Sequence, residues 1–214
     1  MNQHAYSRAQ REAIYRVIRE RRDMRHFLPD PVDQDVMQRM LEAAHDAPSV
    51  GYMQPWRFIC IRDSALREAM AQMVDDERHA TAQALDERGQ AFLKLKVEGI
   101  RECPELWVVA LCEAREKYVF GRRTLNEMDL ASASCAIQNL WLAGRAEGIG
   151  VGWVSLFDPE TLKSLIQAPE STWPIAILCI GHVDAFYSMP MLEQQGWDQR
   201  RSLKDLIGID GWPE

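Results

Sequence analysis

Between positions 7 and 22 the apolar residues Ile14, Val17 and Ile18 recur at helical spacing, which predicts a first helix with one buried face. Asp33 stands where an N-cap belongs for a second helix carrying Val36, Met40, Leu41 and Ala44, and Pro48 ends it. A short apolar run at 58–61 predicts a buried strand, followed by a helix capped by Ser64. The runs 106–112 and 175–180 are apolar and partly β-branched, as buried strands require. Between them, 128–145 reads as a long central helix. Its stretch Ala131 to Ala136 holds only small side chains, which lets another helix approach closely, while Ile137, Leu140 and Trp141 supply bulk. Gly148 is placed to stop that helix as a C′ residue. A strand over 150–156 and a short helix complete the order before the last strand.

No tandem repeat or low-complexity linker interrupts this order, so residues 1–214 read as a single α+β domain, helices around a small mixed sheet. Two segments stand apart. Positions 75–99 are rich in Gln, Glu, Arg and Lys and are the least core-like part of the chain. After Gly181 more than thirty residues follow, with Pro190, Gly196, Trp197 and Trp212 but little periodicity. A segment so long and apolar is expected to pack against something, a second subunit being the natural choice.

Composition narrows the classes. A chain of 214 residues that is 47% hydrophobic and 27% charged can bury a core without metal or disulfide support. Its net charge of −7 argues against a nucleic-acid surface, which requires an excess of Lys and Arg. The five cysteines are odd in number and include no C-x-x-C pair, which reads as reduced thiols of a cytoplasmic protein, with Cys135 expected to be a buried structural thiol. His26, His45, His79 and His182 show no zinc spacing, so no metal site is expected. No apolar run approaches the ~20 residues that span a bilayer, so no membrane association is expected.

The candidate chemistry begins where the first helix ends. Continuing the face of Ile14, Val17 and Ile18 reaches Arg21, Arg22 and Arg25. Partly desolvated guanidinium groups seek a bidentate anion such as carboxylate or phosphate. The plainer reading, a basic helix C-terminus favoured by the helix dipole, stays open beside it. Asp23 among them reads first as their salt-bridge partner. The loop Ala47-Pro48-Ser49-Val50-Gly51-Tyr52-Met53-Gln54-Pro55-Trp56 sets an amide, a hydroxyl and an aromatic on a turn, which suits a heterocycle edge or an ordinary turn before a strand. Gly148, Gly150 and Gly152 do not satisfy G-x-G-x-x-G, so they form no dinucleotide fingerprint. Alternating glycines in a strand mark close approach of another backbone or of a flat ligand, and a plain glycine-flanked strand in a packed core stays open beside that reading.

Taken together, Arg21-Arg22-Asp23-Met24-Arg25, Ala47-Pro48-Ser49 with Gln54-Pro55-Trp56, and Gly150-Val151-Gly152-Trp153 resemble, in order and spacing, the nitroreductase-like flavoproteins. The resemblance implies their fold and a homodimer with FMN sites at the interface and C-terminal tails, here 183–214, reaching across. It implies FMN contacts at Arg21, Arg22, Asp23, Met24, Arg25, Ser49, Met53, Gln54, Gly152, Trp153 and Arg200. The early arginines and Arg200 would hold the phosphate, the Gln54 loop would lie along the isoalloxazine, and the glycine strand would line the ring.

Asp23 and Met53 depart from a typical nitroreductase, which has a small polar residue after the paired basic residues and an Asn before the Gln. With Ser49-Val50-Gly51-Tyr52-Met53-Gln54-Pro55-Trp56 and Gly152-Trp153-Val154-Ser155, they resemble the 5,6-dimethylbenzimidazole synthase branch of that family. That branch implies Asp23 and Ser155 as the catalytic pair. It implies that reduced FMN is substrate rather than a recycled cofactor, that dioxygen is co-substrate, and that a separate flavin reductase supplies FMNH2. The products would be erythrose 4-phosphate and the base that serves as lower ligand of vitamin B12. Segment 75–99 would be a lid that excludes water. The alternative within the family is an NAD(P)H-dependent nitro- or quinone reductase that keeps its FMN.

Overall fold

The computed structural model describes residues 4–213. Its centre is a four-stranded sheet of β1 (Trp56–Cys60), β2 (Glu105–Leu111), β3 (Gly150–Val154) and β4 (Trp173–Gly181), in the order β1-β2-β4-β3. Every pairing between these strands is antiparallel. The expected mixed sheet is therefore an antiparallel one, and its parallel character is confined to an isolated bridge between Asp23 and Val151. That bridge lies beside β3 at the sheet edge.

The inner strands read as unbroken apolar runs because both faces of the sheet are covered. Leu178 and Ile180 of β4 pack with Met40, Ala44, Ile137 and Leu140, from the helices α2 (Gln34–His45) and α5 (Met128–Ala146). Ile177 and Cys179, which alternate with them, pack with Met70, Val74 and Leu162, from α3 (Ser64–Ala84) and α6 (Pro159–Leu165). A methyl on Gly144 of α5 would come within 2.8 Å of Met40 Cε, so α2 and α5 meet at close range. Within 131–136 only Ser132, Ala133 and Ala136 are buried; Cys135 is exposed, contrary to the expected buried thiol, because it lies on the outer side of α5. Gly148 does follow α5 with φ +79°, the left-handed conformation of a helix stop.

Helix α1 (Arg8–Glu20) is capped by Ser7, whose side chain accepts from Gln10 N in a capping box. Its apolar face is not buried within this chain: Ile14 and Ile18 are each 48% exposed, and the helix contributes no buried residue. The sheet faces are already closed by other helices, so α1 touches the body mainly through α5. Helical geometry also stops at Glu20. Arg21 adopts φ −58°, ψ 134°, and the chain runs on extended past Val151.

The polar stretch 75–99 is largely folded. Helix α3 is capped by Asp63 rather than Ser64, because the Asp63 carboxylate accepts from Leu66 N at 2.7 Å. It continues to Ala84, and a tight turn leads into α4 (Gly89–Phe92). A Cβ on Gly89 would lie 2.2 Å from Ala82 O. Arg78 ties the far side of the excursion by donating to the carbonyls of Leu93 and Leu95. The C-terminal segment holds only α7 (Met191–Gln194) and a turn at Leu203–Leu206. Ile207, Ile209 and Trp212 are exposed. No helix among the described residues is long and apolar enough to cross a membrane.

Candidate functional site, a cationic cavity beside strand β3

A cavity of about 1050 Å³ opens where the end of α1, the extended segment 21–25, the end of β3, the 81–97 excursion and the C-terminal segment meet. It lies at the upper end of the ~300–1,000 Å³ typical of small-molecule sites. One wall is polar, with Arg21, Arg22, Asp23, Arg25, Ser155 and Arg200. Leu85, Phe92, Leu95, Val97, Leu156 and Trp197 form an apolar wall.

Asp23 is held from behind. Its Oδ1 accepts from Trp153 N at 2.9 Å, and both carboxylate oxygens pair with the Arg25 guanidinium, Nη2 to Oδ2 at 2.5 Å and Nη1 to Oδ1 closer still. Arg25 also donates to Trp153 O at 3.0 Å and Met24 O at 3.1 Å. The side chain of Arg25 is 9% exposed and that of Asp23 is 42% exposed, so the arginine backs the carboxylate and the carboxylate faces the cavity. The salt-bridge reading of Asp23 is thus realised, and Arg25 is engaged by it rather than free to meet an added anion.

Gly152 explains how this segment sits so close to β3. A Cβ there would fall 2.2 Å from Met24 O and 2.7 Å from Arg25 Nη1, a space no side chain can share. The glycine strand therefore serves close approach of another backbone, and Gly152 lies beneath segment 23–25 rather than in the cavity wall. Met24 is buried and donates its N–H to Val151 O at 3.0 Å.

The remaining cations are less committed. Arg21 lies 4.4 Å from the centroid of the Trp141 ring, and burial holds its guanidinium below its ordinary pKa range, with Asp23 partly offsetting this. Arg22 donates to the carbonyls of Arg19 and Arg21 at 2.7 Å and to Ser188 O at 3.0 Å, yet its buried Nε has no hydrogen-bond partner. Among the described residues neither of them, nor Arg200, is ion-paired, and Glu20 beside them is neutralised by Arg16 and Arg145. An acidic protein thus gathers unpaired positive charge at one concave place, the arrangement expected of an anion site.

Trp153 and Ser155 reach the cavity from the end of β3, and Ser155 is exposed there. Ser49, Met53 and Gln54 do not reach it. Their loop precedes β1, on the opposite edge of the sheet from β3, and leans on segment 118–123: a Cβ on Gly51 would meet Phe120 O at 3.0 Å. There Ser49 Oγ accepts from Gln54 N at 3.0 Å and Met53 is buried. Tyr52 and Gln54 hold φ of 54° and 49°, a conformation uncommon for residues other than glycine and concentrated at functional loops.

Some participants left little trace in the sequence. Tyr187 Oη accepts from Arg25 N at 3.3 Å and lies 2.7 Å from His26 Nδ1, and Trp141 Nε1 donates to Arg22 O at 3.0 Å. The only signal for Tyr187 was the unusual apolar content of the C-terminal segment.

Residues 18–182 match the Nitroreductase family. The 5,6-dimethylbenzimidazole synthase of Rhodospirillum rubrum is 41% identical over 196 residues, covering 89% of this chain and 92% of that protein. The enzyme of the same name from Rhodobacter capsulatus is 36% identical, with 91% and 95% covered. Among solved structures, iodotyrosine deiodinase bound to FMN and 3-iodo-L-tyrosine matches the fold with a TM-score of 0.65 at 21% identity, covering 81% of this chain and 91% of that one. With this fold, and with a family match that spans most of the chain, the protein belongs to the nitroreductase family.

Proposed function

We propose that this chain is a 5,6-dimethylbenzimidazole synthase that consumes reduced FMN and dioxygen and releases the base, erythrose 4-phosphate and the four-carbon pyrimidine remnant of the flavin ring. The observation that carries this reading is the clamped, half-exposed Asp23 carboxylate in a cavity also lined by Arg21, Arg22 and Arg200, none of them ion-paired among the described residues. A negative group there opposes binding of a phosphate and calls for another purpose, which proton transfer supplies. The kinship to two enzymes of that name supports the same choice over an NAD(P)H-dependent reductase.

In this reading Arg21, Arg22 and Arg200 hold the phosphate. The half-buried guanidinium of Arg21, and the lack of a carboxylate paired with Arg21, Arg22 or Arg200 among the described residues, fit such a ligand. Arg25 orients Asp23, and Asp23 takes or returns a proton at a ribityl hydroxyl as the carbon chain is cut. Reduced FMN itself supplies the electrons for dioxygen and the bond that breaks. Ser155 donates or accepts a hydrogen bond near the ring without adding charge. The 81–97 wall, within the 75–99 lid, excludes bulk water.

A homodimer completes the site. Exposed Ile14 and Ile18 of α1 and the exposed apolar residues of tail 183–214 give a second copy apolar surface to cover. The Ser49–Gln54 loop, out of reach of its own cavity, is then available to the partner's. Reduced FMN comes from a separate flavin reductase, and the protein works in the cytoplasm without a metal.

The test is to mix purified protein with excess FMNH2 in air and to identify products by chromatography and mass. Dimethylbenzimidazole from the wild type, lost in Asp23→Asn and reduced in Ser155→Ala, is the expected result. Oxidised FMN and hydrogen peroxide alone, with steady consumption of added NADH, would transfer the protein to the reductase reading.

A further inference from the structure

Arg200 lines the cavity although it is exposed and belongs to a segment with almost no regular structure. Something must hold it there. Three residues earlier, Trp197 is half-buried while Gln195, Gly196, Asp198 and Gln199 around it are exposed. Its inward turn is set locally: Gly196 adopts φ +69°, and Trp197 N donates to Leu192 O at 2.8 Å, closing the end of α7 in the manner of a Schellman motif.

The 86–92 segment grips this tryptophan by side chain and by backbone. The Arg88 guanidinium lies 3.8 Å from the centroid of the Trp197 ring, and Arg88 Nη2 donates to Trp197 O at 2.9 Å. Phe92 packs on the same ring with centroids 6.1 Å apart. Arg88 makes no ion pair among the described residues and lies outside the cavity lining, whereas Phe92, Trp197 and Arg200 all line it. The tryptophan is thus held between an external cation and the cavity. Three residues of chain span at most ~11 Å, so an anchored Trp197 confines Arg200 to the cavity mouth.

We propose that Trp197 is a positioning residue, latched by Arg88 and Phe92, that holds Arg200 over the cavity and couples the 86–92 segment to recognition of a phosphate-bearing ligand. The proposal rests on the reading of Arg200 as a phosphate contact. It adds that the cover and the phosphate contact move as one unit, so that loosening either end weakens recognition of the phosphate in particular. A residue needed only for packing would lower affinity for ligands with and without phosphate alike.

The probes are oxidised FMN and riboflavin, titrated onto the full-length protein by flavin fluorescence, with thermal melts in parallel. Arg200→Ala reduces the preference for FMN over riboflavin by roughly tenfold or more, the worth of a charge-assisted hydrogen bond. Trp197→Ala, which also removes part of the cavity wall and so weakens both ligands, reduces the preference similarly because FMN loses more than riboflavin, while Trp197→Phe, which keeps an aromatic face for Arg88, retains most of it. Arg88→Ala, a surface change that folds irrespective of Trp197, reduces it about two- to fivefold, as an exposed cation–π contact allows. A preference lost in Arg200→Ala but intact in both Trp197→Ala and Arg88→Ala overturns the latch and leaves the phosphate contact standing. A preference unchanged in Arg200→Ala overturns the phosphate reading itself, and the latch with it.

Discussion

Asp129, in α5, has a side chain 2% exposed and faces two guanidinium groups, Arg115 at 2.9 Å and Arg122 at 2.8 Å. Asp23 faces one, Arg25, and keeps 42% of its side chain open. In the first cluster every charge serves the fold. Arg122 also donates to Asn126 O at 3.2 Å and to the carbonyl of Arg115, so the triad pins the excursion between β2 and α5 onto the body. In the second, the buried arginine and the Trp153 amide fix a carboxylate whose front face stays available. The pairing is the same in chemistry, and exposure decides between scaffold and reagent. A carboxylate fully enclosed by cations has no face left for substrate.

Three substitutions sharpen or break this contrast. Asp129→Ala should have the largest effect on the fold, because it leaves two guanidinium groups facing no countercharge; breaking a buried pair in this way costs about 3–5 kcal/mol. For a domain of this size that lowers the melting temperature by roughly 6–20 °C, measured by circular dichroism. A shift of only a degree or two would show that the triad does not pin the excursion.

Asp23→Asn comes next. Product formation should fall by about 10²–10⁴-fold, the usual contribution of a positioned acid or base, while the melting temperature falls less than for Asp129→Ala. The amide oxygen still accepts from Trp153 N, and Arg25 keeps its bonds to the carbonyls of Trp153 and Met24. Equal destabilisation with product formation retained would reverse the assignment of the two clusters.

Gly152→Ala should have the smallest effect, yet the most instructive. It changes no cavity side chain, but its methyl would fall 2.2 Å from Met24 O and must displace segment 23–25. Overpacking of this kind costs about 1–3 kcal/mol. Activity should drop together with stability, and an active variant with an unchanged melt would mean that the close approach does not set the position of Asp23.

Much of the scaffold was legible in the residues. β2, β4 and α5 lie within two residues of their expected bounds, because continuous apolar runs and a glycine stop at Gly148 report local preferences that the core does not override. The first helix was legible as a helix but not in its surroundings. Periodicity shows that one side of α1 is apolar, not what covers it, and Ile14 and Ile18 each stay 48% exposed. The arginines were legible as a cluster, but not in their division of labour. Helical spacing would have projected Arg21, Arg22 and Arg25 from one face, whereas the helix stops at Glu20 and the extended chain turns Arg25 inward. The Gln54 loop was legible as a turn before a strand, but not in the positive φ of Tyr52 and Gln54, and its distance from the cavity depends on strand order, which no local pattern encodes.

By itself, then, the sequence determined the residue types at the site, the order of elements and the apolar runs that make the core, since these follow from side-chain chemistry and short-range periodicity. Only the tertiary structure decided that Asp23 is clamped by Arg25 against the Trp153 amide, that Gly152 makes room for this, and that Arg21, Arg22 and Arg200 converge on one cavity without carboxylate partners. These relations join residues far apart along the chain, and pairing of charges depends on distance and burial in space, which packing alone sets.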